Sequence, residues 1–358
     1  MARALALARR GQALASPNPM VGAVLVRHGK VVGQGFHTYD GLRHAEIIAL
    51  ESAGPAARGA TLYINLEPCS HQGRTPPCTR ALIAAGVARV VAAMPDPNPR
   101  VAGRGFRQLR AAGIKVEYAD AFREEAQRLN EAFAAWIITR RPFVTLKSAL
   151  TLDGRLALPG ARWITSQASR AEVQRMRHAS DALLTGIGTV LADDPLLTDR
   201  TGLPRRRPLL RVVVDSRLRL SPRSRLARSA RGDVLVFTCA SDSGARARAL
   251  RRAGIEICSV RRSRTGEPDL RAVSAELGRR DILSVLLEAG PTLNAAASGA
   301  GLVDKIRFFY APKIAGTLAS PGSSSKRAVP PRELSGLRIE RFGPDVAVEG
   351  YLRDVYRR

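Results

Sequence analysis

The sequence predicts an α/β protein of two domains, and three observations predict it. The chain has 358 residues, more than one domain of ordinary size holds. Short apolar runs alternate with helical patterns in both halves. A helical pattern ending near Thr139 is broken by Arg140-Arg141-Pro142, which places the boundary between residues 1–141 and 142–358. A hydrophobic content of 45% supports buried cores in both.

In chain order, residues 3–15 read as a helix stopped by Ser16-Pro17-Asn18-Pro19, where two prolines force an extended turn. Residues 21–26 and 30–36 flank Arg27-His28-Gly29 and read as a hairpin with His28 at its solvent-facing tip. A helix begins near His44. A strand at 61–66 delivers Glu67-Pro68-Cys69, and Pro76-Pro77 opens a helix over 78–85 that Gly86 ends. A strand at 87–94 leads to the proline-rich polar loop 95–99. A helix at 105–112, a strand at 114–118 and one long helix from Ala121 to about Thr139 complete the first half. In the second half, a strand from Phe143 runs into the turn Thr151-Leu152-Asp153-Gly154-Arg155, and Ser166 is placed to cap a helix. Strand 182–185 enters Gly186-Ile187-Gly188, and strand 284–288 enters Ala289-Gly290-Pro291-Thr292. Each junction leads into a helix. Glycine there lets a ligand approach the backbone, and a helix N-terminus offers free N–H groups to phosphate. Strands at 209–215, 234–238, 255–260 and 305–310 fill out a sheet. The Ser/Pro/Gly-rich tract 317–331 reads as a mobile loop before closing strands at 336–341 and 346–353. His178 reads as a helix-surface residue.

The formal net charge is +26, with the densest arginine runs at 205–207, 217–231 and 246–264. Aromatic residues are only 5%, which leaves few platforms for stacked bases. The charge therefore reads as a solvated basic surface, and no nucleic-acid partner is expected. No apolar run reaches the roughly 18 residues of a membrane span. The N-terminal residues read as an amphipathic helix rather than a signal peptide. Four cysteines are too few for a disulfide framework, and Cys239 and Cys258 lie in strand-like runs. A reducing, cytoplasmic setting fits.

The chemistry concentrates in His44-Ala45-Glu46 and, some twenty residues on, Pro68-Cys69-Ser70-His71-Gln72-Gly73-Arg74-Thr75-Pro76-Pro77-Cys78. One His, two Cys and a Glu that is not a ligand are what a catalytic zinc site needs: three protein ligands and an open position. Zinc lowers the pKa of water toward neutrality, and a carboxylate can carry its proton to a leaving ammonia. That is the constellation of the zinc deaminases. Residues two apart do not share a helix face, so His44 and Glu46 converge only if the site sits at a helix N-terminus. Cys78, in the first turn of the next helix, gains thiolate character from the dipole. A structural zinc site would want a fourth ligand; His71 is available, but substrate contact suits it better. The donor-rich insert between Cys69 and Cys78 reads as a substrate loop.

The segment from Leu66 to Cys78 resembles the deaminase half of the RibD family of bifunctional riboflavin-biosynthesis enzymes. In the second half Thr151-Leu152-Asp153-Gly154-Arg155, Trp163-Ile164-Thr165-Ser166, the run from Gly188 through Asp193-Asp194-Pro195 to Thr198, and Glu288-Ala289-Gly290-Pro291-Thr292-Leu293 resemble its reductase half, in order. The resemblance implies a cytidine-deaminase-like three-layer domain followed by a dihydrofolate-reductase-like α/β domain that uses NADPH. It implies a pyrimidine and ribose-phosphate pocket lined by Asn18, His37, His71, Arg74, Asp96 and Asn98. It implies NADP contacts at Ala149, Trp163, Thr189, Asp193, Ser216 and the turn Gly290-Pro291-Thr292-Leu293-Asn294-Ala295-Ala296. It implies phosphoribosyl-substrate contacts at Arg177, Leu197, Arg200 and Glu288, with Lys147 and Asp153 near the hydride-transfer site. Ala161 stands where members often carry a substrate-touching serine, and Thr151 replaces another serine. The expected reaction is deamination of 2,5-diamino-6-(5-phosphoribosylamino)pyrimidin-4(3H)-one, then reduction of its ribosyl group, in a homo-oligomer. The alternative is a nucleic-acid or free-nucleotide deaminase with a non-catalytic or RNA-binding second half.

Overall fold

The computed structural model describes residues 1–316 and 332–356, apart from Pro159 and Arg162. The tract 317–331, expected as a mobile loop, lies outside the described residues. The chain divides into two units: Met1–Arg140 with Pro204–Arg207 and the chain end from Val355, and Arg141–Leu203 with Pro208–Asp354.

In the first unit, helix α1 (Ala2–Arg9) precedes strands β1 (Gly22–Arg27) and β2 (Lys30–Phe36), whose hairpin turns at exposed His28. Helix α2 (Ala45–Ala53), β3 (Thr61–Ile64), α3 (Cys78–Ala84), β4 (Arg89–Ala92), α4 (Arg104–Ala111) and β5 (Lys115–Tyr118) follow. The sheet order is β2-β1-β3-β4-β5. Its first two pairings are antiparallel, and β3-β4-β5 run parallel. Helix α2 lies directly on the backbone of β2. A Cβ at Gly33 would sit 2.1 Å from the Ala49 carbonyl oxygen, and one at Gly35 would sit 2.6 Å from that of Ala45. These glycines set the depth at which α2 packs, and so where its N-terminus lies.

Two helices differ from expectation. The first stops at Arg9 rather than Ala15. Gly11 packs against the His37 carbonyl and Ala13 takes a positive φ of 59°, which no helix continues through. The long helix over 121–139 is two, α5 (Arg123–Leu129) and α6 (Glu131–Thr139). They break at Asn130, whose side chain accepts from the Met20 amide (2.8 Å) and donates to the Met20 carbonyl (3.0 Å). That pairing ties α5 and α6 to the segment entering β1.

The second unit is built on a nine-stranded sheet. Its strands are β6 (Phe143–Thr151), β7 (Ala182–Gly186), β8 (Leu210–Val214), β9 (Val234–Thr238), β10 (Ile255–Ser259), β11 (Ser284–Leu287), β12 (Lys305–Ala311), β13 (Ser335–Phe342) and β14 (Asp345–Tyr351). The order is β10-β9-β8-β7-β11-β6-β12-β14-β13. Every pairing is parallel from β10 to β12, and the last two, β12-β14 and β14-β13, are antiparallel. Central strands such as β7 and β9 are near-continuous Val/Leu runs, as strands covered on both faces are. The covering helices are α7 (Gln167–Ala179), α8 (Ile187–Asp193), α9 (Arg225–Arg228), α10 (Ala245–Arg252), α11 (Leu270–Arg279) and α12 (Pro291–Gly299). Ser166 caps α7 by accepting from the Ser169 amide at 3.3 Å. His178 is not on the surface: it is buried on α7, with Nδ1 2.9 Å from Asp199 Oδ2.

Candidate active site

The site of the first unit forms at the carboxyl ends of β3 and β4, where open α/β sheets bind ligands. His44 is the residue preceding α2, with extended φ/ψ, so its ring and the Glu46 carboxylate leave the helix end together. Pro77 holds an extended conformation before α3 and places Cys78 as the first helical residue. His44 Nδ1 lies 3.2 Å from Cys78 Sγ and 3.5 Å from Cys69 Sγ. The three ligand atoms all lie within 4.8 Å of one another. One imidazole nitrogen and two sulfurs converging on a point suit zinc.

The thiols behave as a pair waiting for a cation. The Cys78 thiol donates to Cys69, which pulls the Cys69 thiol down and pushes that of Cys78 up. The Cys78 amide also donates to Cys69 Sγ at 3.3 Å. Glu46 is buried, and burial, followed by the charge of Cys69, pushes its carboxyl up to about 7. A divalent cation in the His/Cys/Cys set reverses that effect and favours the carboxylate.

A cavity of about 310 Å³ opens over these groups, lined by Asn18, His37, His71, Arg74, Asp96 and Asn98 among others. His37 is fully used within the protein. Its Nδ1 donates to the Arg43 carbonyl at 2.9 Å, and Nε2 accepts from Asn18 Nδ2 at 2.9 Å. Its ring meets the His44 ring edge-on at 5.4 Å. Burial lowers the pKa of His37, so it stays neutral and orients Asn18 and His44. Burial also pushes Asp96 up to about 6, against a hydrogen bond from the Asn98 amide.

In the second unit, Lys147 and Ala149 alternate onto the half-exposed face of β6, while Leu146, Ser148 and Leu150 are buried. Leu287 of β11 registers with Leu146 of β6, so Glu288 emerges beside Lys147. Glu288 receives Arg177 Nε at 2.7 Å and Nη2 at 3.1 Å, and Lys147 Nζ at 3.5 Å. Burial alone would raise Glu288; the charges of Arg177 and Lys147 outweigh it and hold the carboxyl at about 2. Arg177 Nη1 donates to the Thr198 carbonyl at 3.0 Å.

The two glycine junctions lie side by side because β7 pairs with β11. A Cβ on Gly186 would touch Leu293 at 3.4 Å, and one on Gly290 would lie 4.0 Å from Thr189 Oγ1. Among the described residues, buried Thr185 Oγ1 and Asn294 Oδ1 lack a hydrogen-bond partner, both beside these junctions. Unpaired acceptors next to the N-terminus of α12 fit a polar nucleotide cofactor.

Comparison with known proteins finds a match over each half of the chain. Residues 142–348 match the model of the RibD C-terminal domain, and residues 1–94 match the cytidine and deoxycytidylate deaminase zinc-binding region. The riboflavin biosynthesis protein RibD of Escherichia coli K12 is 42% identical over 366 aligned positions, spanning 97% of each chain. The chain belongs to the RibD family.

RibD relatives from Synechocystis (42% identical, 98% of this chain and 95% of the relative) and the RibD structure from Acinetobacter baumannii (TM-score 0.82, 35% identical, 98% and 97%) extend the match end to end. A Thermotoga maritima structure described as a diaminohydroxyphosphoribosylaminopyrimidine deaminase/5-amino-6-(5-phosphoribosylamino)uracil reductase gives the same TM-score of 0.82. The protein is a RibD deaminase and reductase of riboflavin biosynthesis, with a zinc-binding region built on His44, Cys69 and Cys78.

The other residues expected as RibD contacts sit in varied settings. Leu197 is buried in the apolar core with Leu183 and Val190, so only its backbone can face a ligand. The Asp153 carboxylate accepts from the Ala315 and Gly316 amides, both at 3.1 Å, and closes a turn. Trp163 is exposed, with the Arg170 guanidinium over its ring at 5.1 Å. Asp193, Ala161 and Arg200 are exposed, whereas Ser216 is buried. Thr151 keeps a hydroxyl role, accepting from the Arg155 amide at 2.9 Å.

Glu67 escaped the sequence reading. It is buried, and its two oxygens accept from the amides of Asp96 (3.1 Å), Gly103 (2.8 Å), Gly105 (2.8 Å) and Phe106 (3.3 Å). It thereby anchors the loop that carries Asp96 and Asn98. Its place two residues before Cys69 was the only signal. Tyr39, on the cavity wall under Arg74, was also missed.

Proposed function

We propose that residues 1–141 deaminate 2,5-diamino-6-(5-phosphoribosylamino)pyrimidin-4(3H)-one and that residues 142–358 then reduce its ribosyl group to ribityl, giving 5-amino-6-(5-phosphoribitylamino)uracil. The observation that carries this reading is buried Glu46 beside the His44/Cys69/Cys78 set, at the floor of a cavity rimmed by polar side chains. One zinc per chain, held by His44 Nδ1 and the two sulfurs, would supply the positive charge that lowers the pKa of water.

Glu46 takes the proton from the attacking water and delivers it to the departing ammonia. Asn18, held by His37, and Asp96 and Asn98, held by Glu67, fix the pyrimidine over that carboxylate. His71 and Arg74, on the exposed insert, meet the ribose-phosphate end. In the second unit NADPH would supply the hydride, seated against Ala149, Thr189, Ser216 and residues 290–296. Arg177 and Lys147 keep Glu288 ionised, so that it accepts from the ribosyl hydroxyls and orients the sugar. By resemblance, Trp163 and Asp193 are assigned to the cofactor and Arg200, Leu197, Asp153 and Ala161 to the sugar-phosphate substrate. No helix among the described residues is long and apolar enough to cross a membrane, and a cytoplasmic homo-oligomer acting on a small molecule fits the reading.

The test supplies the diaminopyrimidine ribotide and NADPH to purified protein of measured zinc content. Ammonia release followed by loss of nicotinamide absorbance is the expected result. Neither signal from zinc-loaded protein would overturn the assignment.

A further inference from the structure

A segment from far along the chain packs beside two stretches that run into the wall of the first cavity. Pro204–Arg207 belongs to the first unit, although it falls within the span matched by the RibD C-terminal-domain model, residues 142–348. Arg206 bridges two rim segments. Toward one, its amide donates to the Ala13 carbonyl at 3.0 Å and its Nη1 donates to the Ser16 carbonyl at 3.1 Å. Toward the other, its Nε donates to Asp40 Oδ1 at 3.0 Å and its guanidinium lies 3.8 Å from the centre of the Tyr39 ring. Arg207 Nη2 adds a contact to Ser16 Oγ at 3.4 Å.

Both segments feed the cavity. The first continues directly into Pro17 and Asn18, and Tyr39 lines the wall and carries the Arg74 guanidinium over its ring at 4.6 Å. One planar cation thus joins the Asn18 turn to the Tyr39 wall. We infer that Arg206 is a positioning residue for deamination: it holds Asn18 and the Tyr39–Arg74 stack in their substrate-binding arrangement without touching the reacting atoms. The inference rests on the proposed deaminase reading of this cavity. It predicts that a substitution inside the reductase-model span alters ammonia release and not hydride transfer.

The experiment measures deamination of the diaminopyrimidine ribotide, and reduction of the deaminated ribotide supplied directly, for wild-type protein, Arg206→Ala, Arg206→Lys, Tyr39→Leu and the Arg206→Ala/Tyr39→Leu pair. Arg206→Ala should raise the deamination KM about fivefold, the order expected for loss of one stacked guanidinium, with kcat nearly unchanged. Reduction should be unaffected, Arg206→Lys should restore part of the KM, and in the Tyr39→Leu background Arg206→Ala should add little. An unchanged deamination KM, equal loss of both activities, or full additivity of the pair overturns the inference. Wild-type protein that releases no ammonia sinks the deaminase reading instead. Arg206 is then judged by hydrogen exchange over residues 13–18, which Arg206→Ala accelerates if the guanidinium holds that turn and leaves unchanged if it does not.

Discussion

The two sites handle buried charge in opposite ways. In the first unit, two thiols and an imidazole face one another as a set of metal ligands, and Glu46 sits beside them at a raised pKa. That arrangement is completed by something from outside. In the second, Glu288 is matched inside the fold by Arg177 and Lys147, and its pKa is held low. The first site depends on a metal for its electrostatics. The second is self-neutralised and depends on geometry. Perturbing the metal should therefore touch deamination alone, and perturbing Glu288 should touch folding as well as reduction.

The sharpest way to break this comparison is Glu46→Gln. It should lower deamination by about a thousandfold, the middle of the range for a lost general acid–base group, while metal analysis finds zinc retained and reduction of deaminated substrate proceeds. Zinc loss in that variant would make Glu46 a ligand. Glu288→Ala comes next. It leaves the half-buried Arg177 and Lys147 without their counter-charge and should cost about 3 kcal/mol in denaturant unfolding, the low end for a broken buried pair. A cost near zero would show that the trio is already solvated.

The third contrast is in acid. The folded pKa of Glu288, about 2, lies below the ordinary glutamate value of 4.5. Its contribution is therefore fully present above about pH 4.5 and is lost as pH falls toward about 2. The size is about 3 kcal/mol. Unfolding curves at pH 5 and pH 2.5 should diverge less for Glu288→Gln than for wild type; parallel behaviour would remove the ion pair from the account. The smallest expected effect concerns Asp96, whose carboxyl is held at about 6. The deamination KM should rise two- to threefold below about pH 6 as this acceptor is protonated, and Asp96→Asn should flatten that rise. A break that survives the substitution belongs to another group.

Legibility in the sequence follows the range of the interactions. His44, Cys69 and Cys78 were readable because metal chemistry demands particular side chains and the chain supplies them on two short stretches at helix starts. Strand and helix order was readable from periodicity in both units. The interruption at Asn130 was not, because it comes from a side chain bonding to Met20, more than a hundred residues earlier. His178 looked like a surface residue because its partner Asp199 lies across a loop. Glu67 and the β2 glycines act on backbone, and no pattern of side-chain types announces which amides or carbonyls will approach them. The proposed reductase contacts are reachable only by resemblance, since they are spread over strands that meet in the sheet and not in the sequence.

The Glu67 arrangement has a consequence for anyone who would retune this enzyme toward a different ring. One carboxylate clasps four amides between Asp96 and Phe106, immediately before the Pro68-Cys69 segment. The loop proposed to select the base and the segment that supplies a sulfur are therefore one transplantable block. A loop exchanged from Pro95 to Gly103 without regard to that clasp would carry new specificity residues on an unmoored backbone. The same exchange made with Gly105 and the opening of α4 included would arrive already in register.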